Sequence, residues 1–428
     1  MFFDLCRGGH VKNTSEINPA AFRLTKIAGA YWRGSEKNPQ DEVGRGLPLW
    51  MPNGFAVRHA LENYMYELER KNGYQHVLTP HIAKEDLYKK SGHLAHYRED
   101  MYAPLDIEGT NYYLKPMNCP HHHSIYKHHK RSYRELPFRV AEFGTVYRYE
   151  RSGVLSGLIR ARGFTQNDAH IYTDDVHLES EILNVLKMHK KAYEDIGVGD
   201  YWYRLSLPDF KNKEKFGDVK NKKMWNDGAA VLRKVLRSTK HKFVEAEGEA
   251  SFYGPKIDIQ IKDIHGKEDT IATVQVDYYS ASRFNLFYID KNGKEKSAVV
   301  IHRAILGSFD RFFAFLIEKT CGNFPVWLAP VQVKILAISE KQQKYAEKIH
   351  RDLIDADIRA DLSLADETLG KRIREAEMQR VPYIAVVGDQ ELKNGTVSLR
   401  IRGKGTGGEH PVDYFINDIR QEVKKYIS

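Results

Sequence analysis

The chain has 428 residues, enough for roughly two or three domains with cores of their own, and its 42% hydrophobic and 29% charged residues exclude a disordered chain. Lys and Arg number 66 against 57 Asp and Glu, and the resulting +9 favours a polyanionic partner without demanding one. The longest apolar runs, such as 335–338 and 385–387, are too short to span a bilayer, the start MFFDLCRGGHVKN lacks a signal-peptide core, and Cys6, Cys119 and Cys321 make no disulfide framework, so the expectation is a cytoplasmic protein with reduced thiols and no membrane segment.

Residues 1–40 mix turn formers with one apolar patch (Phe22, Leu24, Ile27, Tyr31, Trp32), too little for an independent core. From Ala56, the apolar residues Val57, Leu61, Tyr64, Met65 and Leu68 recur at helical spacing until Asn72-Gly73, and a strand, HVLTP, follows and ends at Pro80. Between Arg139 and Tyr172 two extended segments, FRVAEFGTVYRYE and GFTQNDAHIYT, flank a loop rich in Gly, Ser and Arg, the pattern of a long hairpin with a basic tip. Amphipathic helices are predicted over 178–196 and 224–238, separated from each other by a strand over 201–207 and the solvated basic stretch KNKEKFGDVKNKKMW. Strands over 257–261, 270–278 and 298–302 come next, the last running into a helix that carries Leu306, Phe309, Phe312, Phe313 and Leu316. After Trp327-Leu328-Ala329-Pro330 the texture changes to a compact alternation. VQVKILAI reads as a buried strand, KQQKYAEKIHRDLIDA as a helix with Tyr345, Ile349 and Leu353 on one face, YIAVVG and TVSLRIR as strands, and 412–426 as a closing helix. Three regions are therefore expected: 1–40, 41–328 and 329–428.

The phosphate-binding string G-x-x-x-x-G-K-[ST] does not occur, and Gly403, Gly405 and Gly408 match G-x-G-x-x-G where no second strand with an acidic residue can follow, so they read as a turn. Cys119, His170 and His302 offer a thiolate and two imidazoles, a borderline-soft set that suits Zn²⁺ and leaves a fourth position open. His121, His122 and His123 stand beside Cys119, but four ligands in five residues cannot spread around one ion, so most of these histidines are expected on a solvated helix start.

The string FRVAEFGTVYRYERSGVLSGLIRARGFTQNDAHI resembles motif 2 of the class II aminoacyl-tRNA synthetases, VVIHRAILGSFDRFF resembles motif 3, and the helix from Ala56 with Pro80 resembles motif 1, the dimerisation element. More narrowly, KPMNCP, RGFTQNDAHI, FYGPKID, TVQVDY, HRAILGS and WLAPVQV together resemble the threonyl-tRNA synthetases over residues 41–428. The resemblance implies an α/β (α+β) fold: a class II antiparallel sheet with flanking helices, followed by a small α/β anticodon-binding domain. It implies a homodimer that activates L-threonine with ATP and transfers it to the 3′ end of tRNA(Thr). Zinc would be held by Cys119, His170 and His302 and would take the amino group and hydroxyl of threonine, rejecting valine, which an apolar pocket separates poorly. Asp168 would accept from the hydroxyl, with Met117, Gln166, Tyr253, Gln275 and Ser308 completing the amino-acid pocket. Arg148 would hold the α-phosphate and carboxylate, Arg160 the γ-phosphate, and Arg311 one face of the adenine whose other face meets Phe164. Glu150 would accept from the adenine amino group, Lys256 would reach a phosphate, and Mg²⁺ would accompany ATP, its ligands unassigned beyond Asp277 as a candidate. Glu391 and Arg400 fall where anticodon bases would be read.

Two departures from the family pattern are visible. DLCRGGHV resembles the end of an editing domain, with Cys6 and His10 as half of its site, but no H-x-x-x-H half precedes them, so no editing is expected. Gln40 also runs straight into Asp41, where the family has a helical linker. Against a prolyl enzyme stand Cys119, Asp168, His170 and His302; against a seryl enzyme stands the C-terminal domain; against a catalytically dead RNA-binding relative stand Arg148, Glu150 and Arg311.

Overall fold

A computed structural model describes residues 43–212, 216, 222–239, 241–264 and 266–426. The segment 1–40, with Cys6 and His10, and much of the basic stretch after Lys211 lie outside the described residues. The chain divides into two compact units, the first containing 69–192 and 199–318, the second 50–68, 193–198 and the chain from Lys319 onward.

The first unit is built on an eight-stranded sheet. Its strands in chain order are β1 (Gln75–His76), β2 (Phe138–Tyr147), β3 (Gly163–Thr173), β4 (Trp202–Leu207), β5 (Phe243–Glu247), β6 (Lys256–Lys262), β7 (Glu268–Asp277) and β8 (Val299–Ser308). They lie in the order β1-β2-β3-β8-β7-β6-β4-β5. Pairing is antiparallel throughout the middle, and parallel at the two edges, β1 on β2 and β5 on β4. The hairpin expected between Arg139 and Tyr172 is β2–β3, in register from Phe138 opposite Tyr172 to Tyr147 opposite Gly163. Because side chains alternate, β3 sends Thr165, Asn167, Ala169 and Ile171 to one face and Gln166, Asp168 and His170 to the other. Helix α1 (Cys119–Tyr126) precedes the hairpin, while α2 (Lys222–Ser238) buries Ala229, Leu232, Val235 and Leu236 along one stripe. Two three-stranded sheets complete the unit, one from Ile82–Lys84, Leu105–Ile107 and Thr110–Leu114, the other from Arg131–Ser132, Phe287–Ile289 and Glu295–Ser297.

Two sequence expectations change here. The strand HVLTP pairs only at its start, because the Thr79 N–H turns to the Glu142 carboxylate at 2.9 Å and Pro80 has no N–H to give. Leu306 belongs to β8, fully buried, and not to the helix that follows, α3 (Phe309–Thr320). The separation is made by Gly307, whose φ of +62° and 1.9 Å approach of an added Cβ to the Ile271 carbonyl oxygen exclude any side chain. The β8 register consequently slips between Ala304 and Ser308, which brings Ser308 opposite Gln166.

The second unit holds a five-stranded sheet, β9 (Val333–Ala337), β10 (Ala360–Ser363), β11 (Tyr383–Val387), β12 (Thr396–Ile401) and β13 (Gly405–Pro411), ordered β10-β9-β11-β12-β13. Val333, Ile335, Ala385 and Val387 pack with Ile349 and Leu353 of α4 (Gln343–Asp355) and Phe415 and Ile419 of α6 (Val412–Lys424). On the other face Leu336, Ile384 and Val386 meet Ala376 of α5 (Leu369–Met378). Gly403 lies in the turn between β12 and β13 as expected, whereas Gly405 and Gly408 belong to β13 itself, opposite Ile401 and Leu399. Trp327 lies against the Tyr64 ring at 5.1 Å and donates its indole N–H to the Asp195 carbonyl at 3.2 Å. Among the described residues no helix is long and apolar enough to cross a membrane.

Candidate active site

The face of β3 that carries Gln166, Asp168 and His170 is continued by the strands on either side. His302 of β8 stands opposite both His170 and Gln275, and Ser308 stands opposite Gln166. Cys119 opens α1 with Pro120 behind it, a residue suited to a helix start because its missing N–H is not needed there. The Cys119 sulfur and one nitrogen each of His170 and His302 lie within 4.8 Å of one another, and all three residues are buried. His170 Nε2 is 2.8 Å from His302 Nδ1, somewhat closer than the roughly 3.3 Å that separates two nitrogens bound tetrahedrally to one Zn²⁺. Burial, with Asp168 and Asp277 nearby, pushes the Cys119 thiol well above its usual range, so a thiolate there needs a cation beside it. Burial likewise holds His170 well below the usual imidazole range, in the neutral form a metal requires. Donor types, burial and spacing thus fit one Zn²⁺.

Asp277, expected as a Mg²⁺ ligand, has another task. Its Oδ2 meets His302 Nε2 at 2.8 Å, and its Oδ1 accepts the backbone N–H groups of Tyr279 and Ser280 at 2.7 and 2.8 Å. Both oxygens are engaged, which also disfavours the overlapping group of His123, Asp277 and His302 as a metal centre.

The expectation of a solvated start for α1 is overturned. His121, His122 and His123 are 7%, 0% and 1% exposed. His122 joins Glu142 Oε2 at 3.0 Å and His170 Nδ1 at 2.7 Å, and His123 meets the Tyr172 hydroxyl at 2.9 Å while packing edge-on to Phe284. Burial lowers His121 to about 4 and His123 well below the normal value. His123 thus packs as a neutral aromatic ring with a partner for Nδ1, while His121, edge-on to Tyr88, is buried with neither ring nitrogen hydrogen-bonded, a choice that residue type alone does not reveal.

Around this cluster lie the residues expected to hold the amino acid. Asp168 Oδ2 accepts from Asn118 Nδ2 at 3.0 Å, and Gly144 leaves room for it, since an added Cβ there would come within 2.4 Å of the Asn118 amide. The Tyr253 ring stacks on His302 at 4.9 Å, and its hydroxyl bonds the Gln275 amide oxygen together with Ser251. Met117 Sδ is 3.1 Å from His93 Nε2.

Beyond Gln166 and Ser308 a cavity of about 200 Å³ is lined by Arg148, Glu150, Arg160, Phe164 and Arg311. The Arg148 guanidinium lies 5.1 Å from the Phe164 ring centre, and Arg311 is anchored by the carbonyls of Ile159 and Thr270 at 3.0 and 3.2 Å. Arg160 and Glu150, expected on opposite ends of a nucleotide, are paired at 2.9 Å. Lys256 is not part of the lining; it sits opposite Gln275 in the sheet with its ammonium 3.0 Å from Asp258. In the second unit, Glu391 accepts the Gly388 N–H at 2.9 Å and Arg400 pairs with Glu377 at 3.2 Å, so each has its own partner. Asn118 and Glu142 escaped the sequence reading, and His122 was expected in solvent. The signal for His122 was its position three residues after Cys119, one helical turn away on the same face.

An antiparallel sheet carrying a basic-tipped hairpin, with an arginine-lined cavity beside it, defines the core of a class II aminoacyl-tRNA synthetase. Residues 102–320 match the tRNA synthetase class II core domain (G, H, P, S and T), residues 332–422 the anticodon binding domain, and residues 1–40 the threonyl and alanyl tRNA synthetase second additional domain. The threonine–tRNA ligase of Bacillus velezensis is 41% identical over 468 aligned positions, covering 99% of this chain and 72% of the relative. Among solved structures, the RNA binding domain of threonyl-tRNA synthetase from Cryptosporidium parvum superposes with a TM-score of 0.83 at 33% identity, over 90% of this chain and 94% of that one. A threonyl-tRNA synthetase from Aeropyrum pernix gives 0.78 at 29% identity, over 90% and 91%. The chain belongs to the threonyl-tRNA synthetase family.

Proposed function

We propose that this chain activates L-threonine with ATP, giving threonyl-adenylate and pyrophosphate, and transfers the threonyl group from the adenylate to the 3′ end of tRNA(Thr) with release of AMP. The observation that carries the reading is continuity: Gln166 and Ser308 line the arginine cavity, while Asp168, His170 and His302 follow on the same strands and face. An amino acid seated at the cluster therefore directs its carboxylate toward Arg148. Zn²⁺ on Cys119, His170 and His302 would supply a Lewis-acid site for the amino group and hydroxyl that threonine has and valine cannot match.

The chain's own groups do the rest. Asp168 accepts the threonine hydroxyl, and Met117, Tyr253 and Gln275 enclose it. Adenine lies between Phe164 and Arg311, its amino group on Glu150, while Arg160 turns from Glu150 to the γ-phosphate and Lys256 from Asp258 to a neighbouring phosphate. The carboxylate oxygen bonds to the α-phosphorus as pyrophosphate leaves, so no general base is needed, and Arg148 stabilises the charge that develops on the α-phosphate. Mg²⁺ enters with ATP. In the second unit Glu391 and Arg400 read anticodon bases, with regions 41–328 and 329–428 as catalytic and anticodon-binding domains of a cytoplasmic homodimer.

Amino-acid-dependent ATP–pyrophosphate exchange across all amino acids, with zinc content measured in parallel, tests the reading. Exchange with threonine, and weakly with serine, at one zinc per chain is expected. Exchange with proline, or none in zinc-loaded protein, would overturn it.

A further inference from the structure

His122 lies one turn beyond Cys119 on α1, wholly buried, with both ring nitrogens engaged. Nε2 faces Glu142 Oε2 at 3.0 Å, and Nδ1 faces His170 Nδ1 at 2.7 Å. The other oxygen of Glu142 accepts from the Thr79 N–H at 2.9 Å and the buried Lys115 ammonium at 3.2 Å. Such a carboxylate only accepts, so His122 donates to it from Nε2, and the neutral ring then keeps its lone pair on Nδ1. His170 must then carry its proton on Nδ1 and leave Nε2 bare. The same logic holds on the other side, where Asp277 takes the Nε2 proton of His302 and bares Nδ1. The two bared nitrogens face each other at 2.8 Å beside the Cys119 sulfur. That arrangement is repulsive unless a cation lies among them.

We propose that His122 and Glu142 are positioning residues: with Lys115 and Thr79 behind them, they fix His170 in the tautomer that offers Nε2 to a thiophilic divalent cation. This rests on the metal-centre reading above and extends it outward from the ligands. Nothing in the proposed mechanism uses His122 directly.

The test is Glu142→Gln in the full chain. Thr79 N–H and Lys115 hold the amide oxygen at the former Oε1 position, which turns the amide NH₂ to His122 Nε2 and reverses the proton order through His122 to His170. Because Lys115 then loses its counter-charge, the double variant Lys115→Met/Glu142→Gln is made alongside it; this keeps the Thr79 bond and removes both buried charges. Zinc affinity is measured by chelator competition, and the Co²⁺-substituted proteins are compared by visible absorption. The expected result in both variants is a zinc affinity lowered about 10- to 100-fold. Sulfur-to-cobalt charge transfer should persist from Cys119, while the tetrahedral d–d bands weaken as a nitrogen ligand is lost. Folded variants that keep zinc within about threefold of the parent, with an unchanged cobalt spectrum, would overturn the proposal. A parent chain that binds neither ion would instead refute the metal-centre reading and this proposal with it, an outcome distinguishable because it appears before any substitution is made.

Discussion

At the scale of single residues, the site depends on three side chains brought together from α1, β3 and β8. Cys119→Ser should abolish zinc binding in an equilibrium dialysis measurement and leave the fold intact, because apolar packing of Tyr126, Tyr172 and Val300 holds these elements together without the ion. In kinetic assays of that variant, preference for threonine over valine should fall below about 100-fold, the range an apolar pocket can reach. If the variant unfolds, the ion is a structural one. Cys119, His170 and His302 were legible in the sequence because their flanking strings matched a family. His122 and His123 were not, since a run of histidines reads as polar until the partners that make burial tolerable, Glu142 and Tyr172, are found 20 and 49 residues away.

At the scale of elements, the β2–β3 hairpin was legible because alternation over so many residues leaves little choice of register. The end of β8 was not. Leu306, Phe309 and Phe313 share helical spacing, and only the contact of Gly307 with the Ile271 carbonyl shows that the strand continues to Ser308. That bulge aligns Ser308 with Gln166, and the first turn of α3 is tied to the hairpin where Asp310 accepts the Thr165 N–H at 2.9 Å. Gly307→Ala places a side chain where none fits. The thermal transition of the first unit should drop by roughly 4 °C or more, and KM for ATP should rise because Ser308 and Arg311 move with the bulge. An unchanged melting profile would show that the bulge relaxes freely. The short strands Leu105–Ile107 and Glu295–Ser297 were missed since three residues carry no periodicity.

At the scale of the whole molecule, the +9 net charge and the two units give separate experimental handles. KM for tRNA should rise at least about tenfold between roughly 50 and 200 mM salt, as phosphate contacts are screened, whereas threonine-dependent exchange, which needs no tRNA, should change far less. Equal salt sensitivity of both would mean that the charge serves the nucleotide site and not the RNA. Asp277 has a consequence of another kind. One carboxylate spans His302 and the backbone amides of Tyr279 and Ser280, so the ring's rigidity is shared with the start of the helix Tyr279–Phe284. A peptide covering that turn becomes a built-in gauge of metal loading: its deuterium uptake should slow when zinc is added to stripped protein, letting occupancy be followed in a mixture without a metal assay.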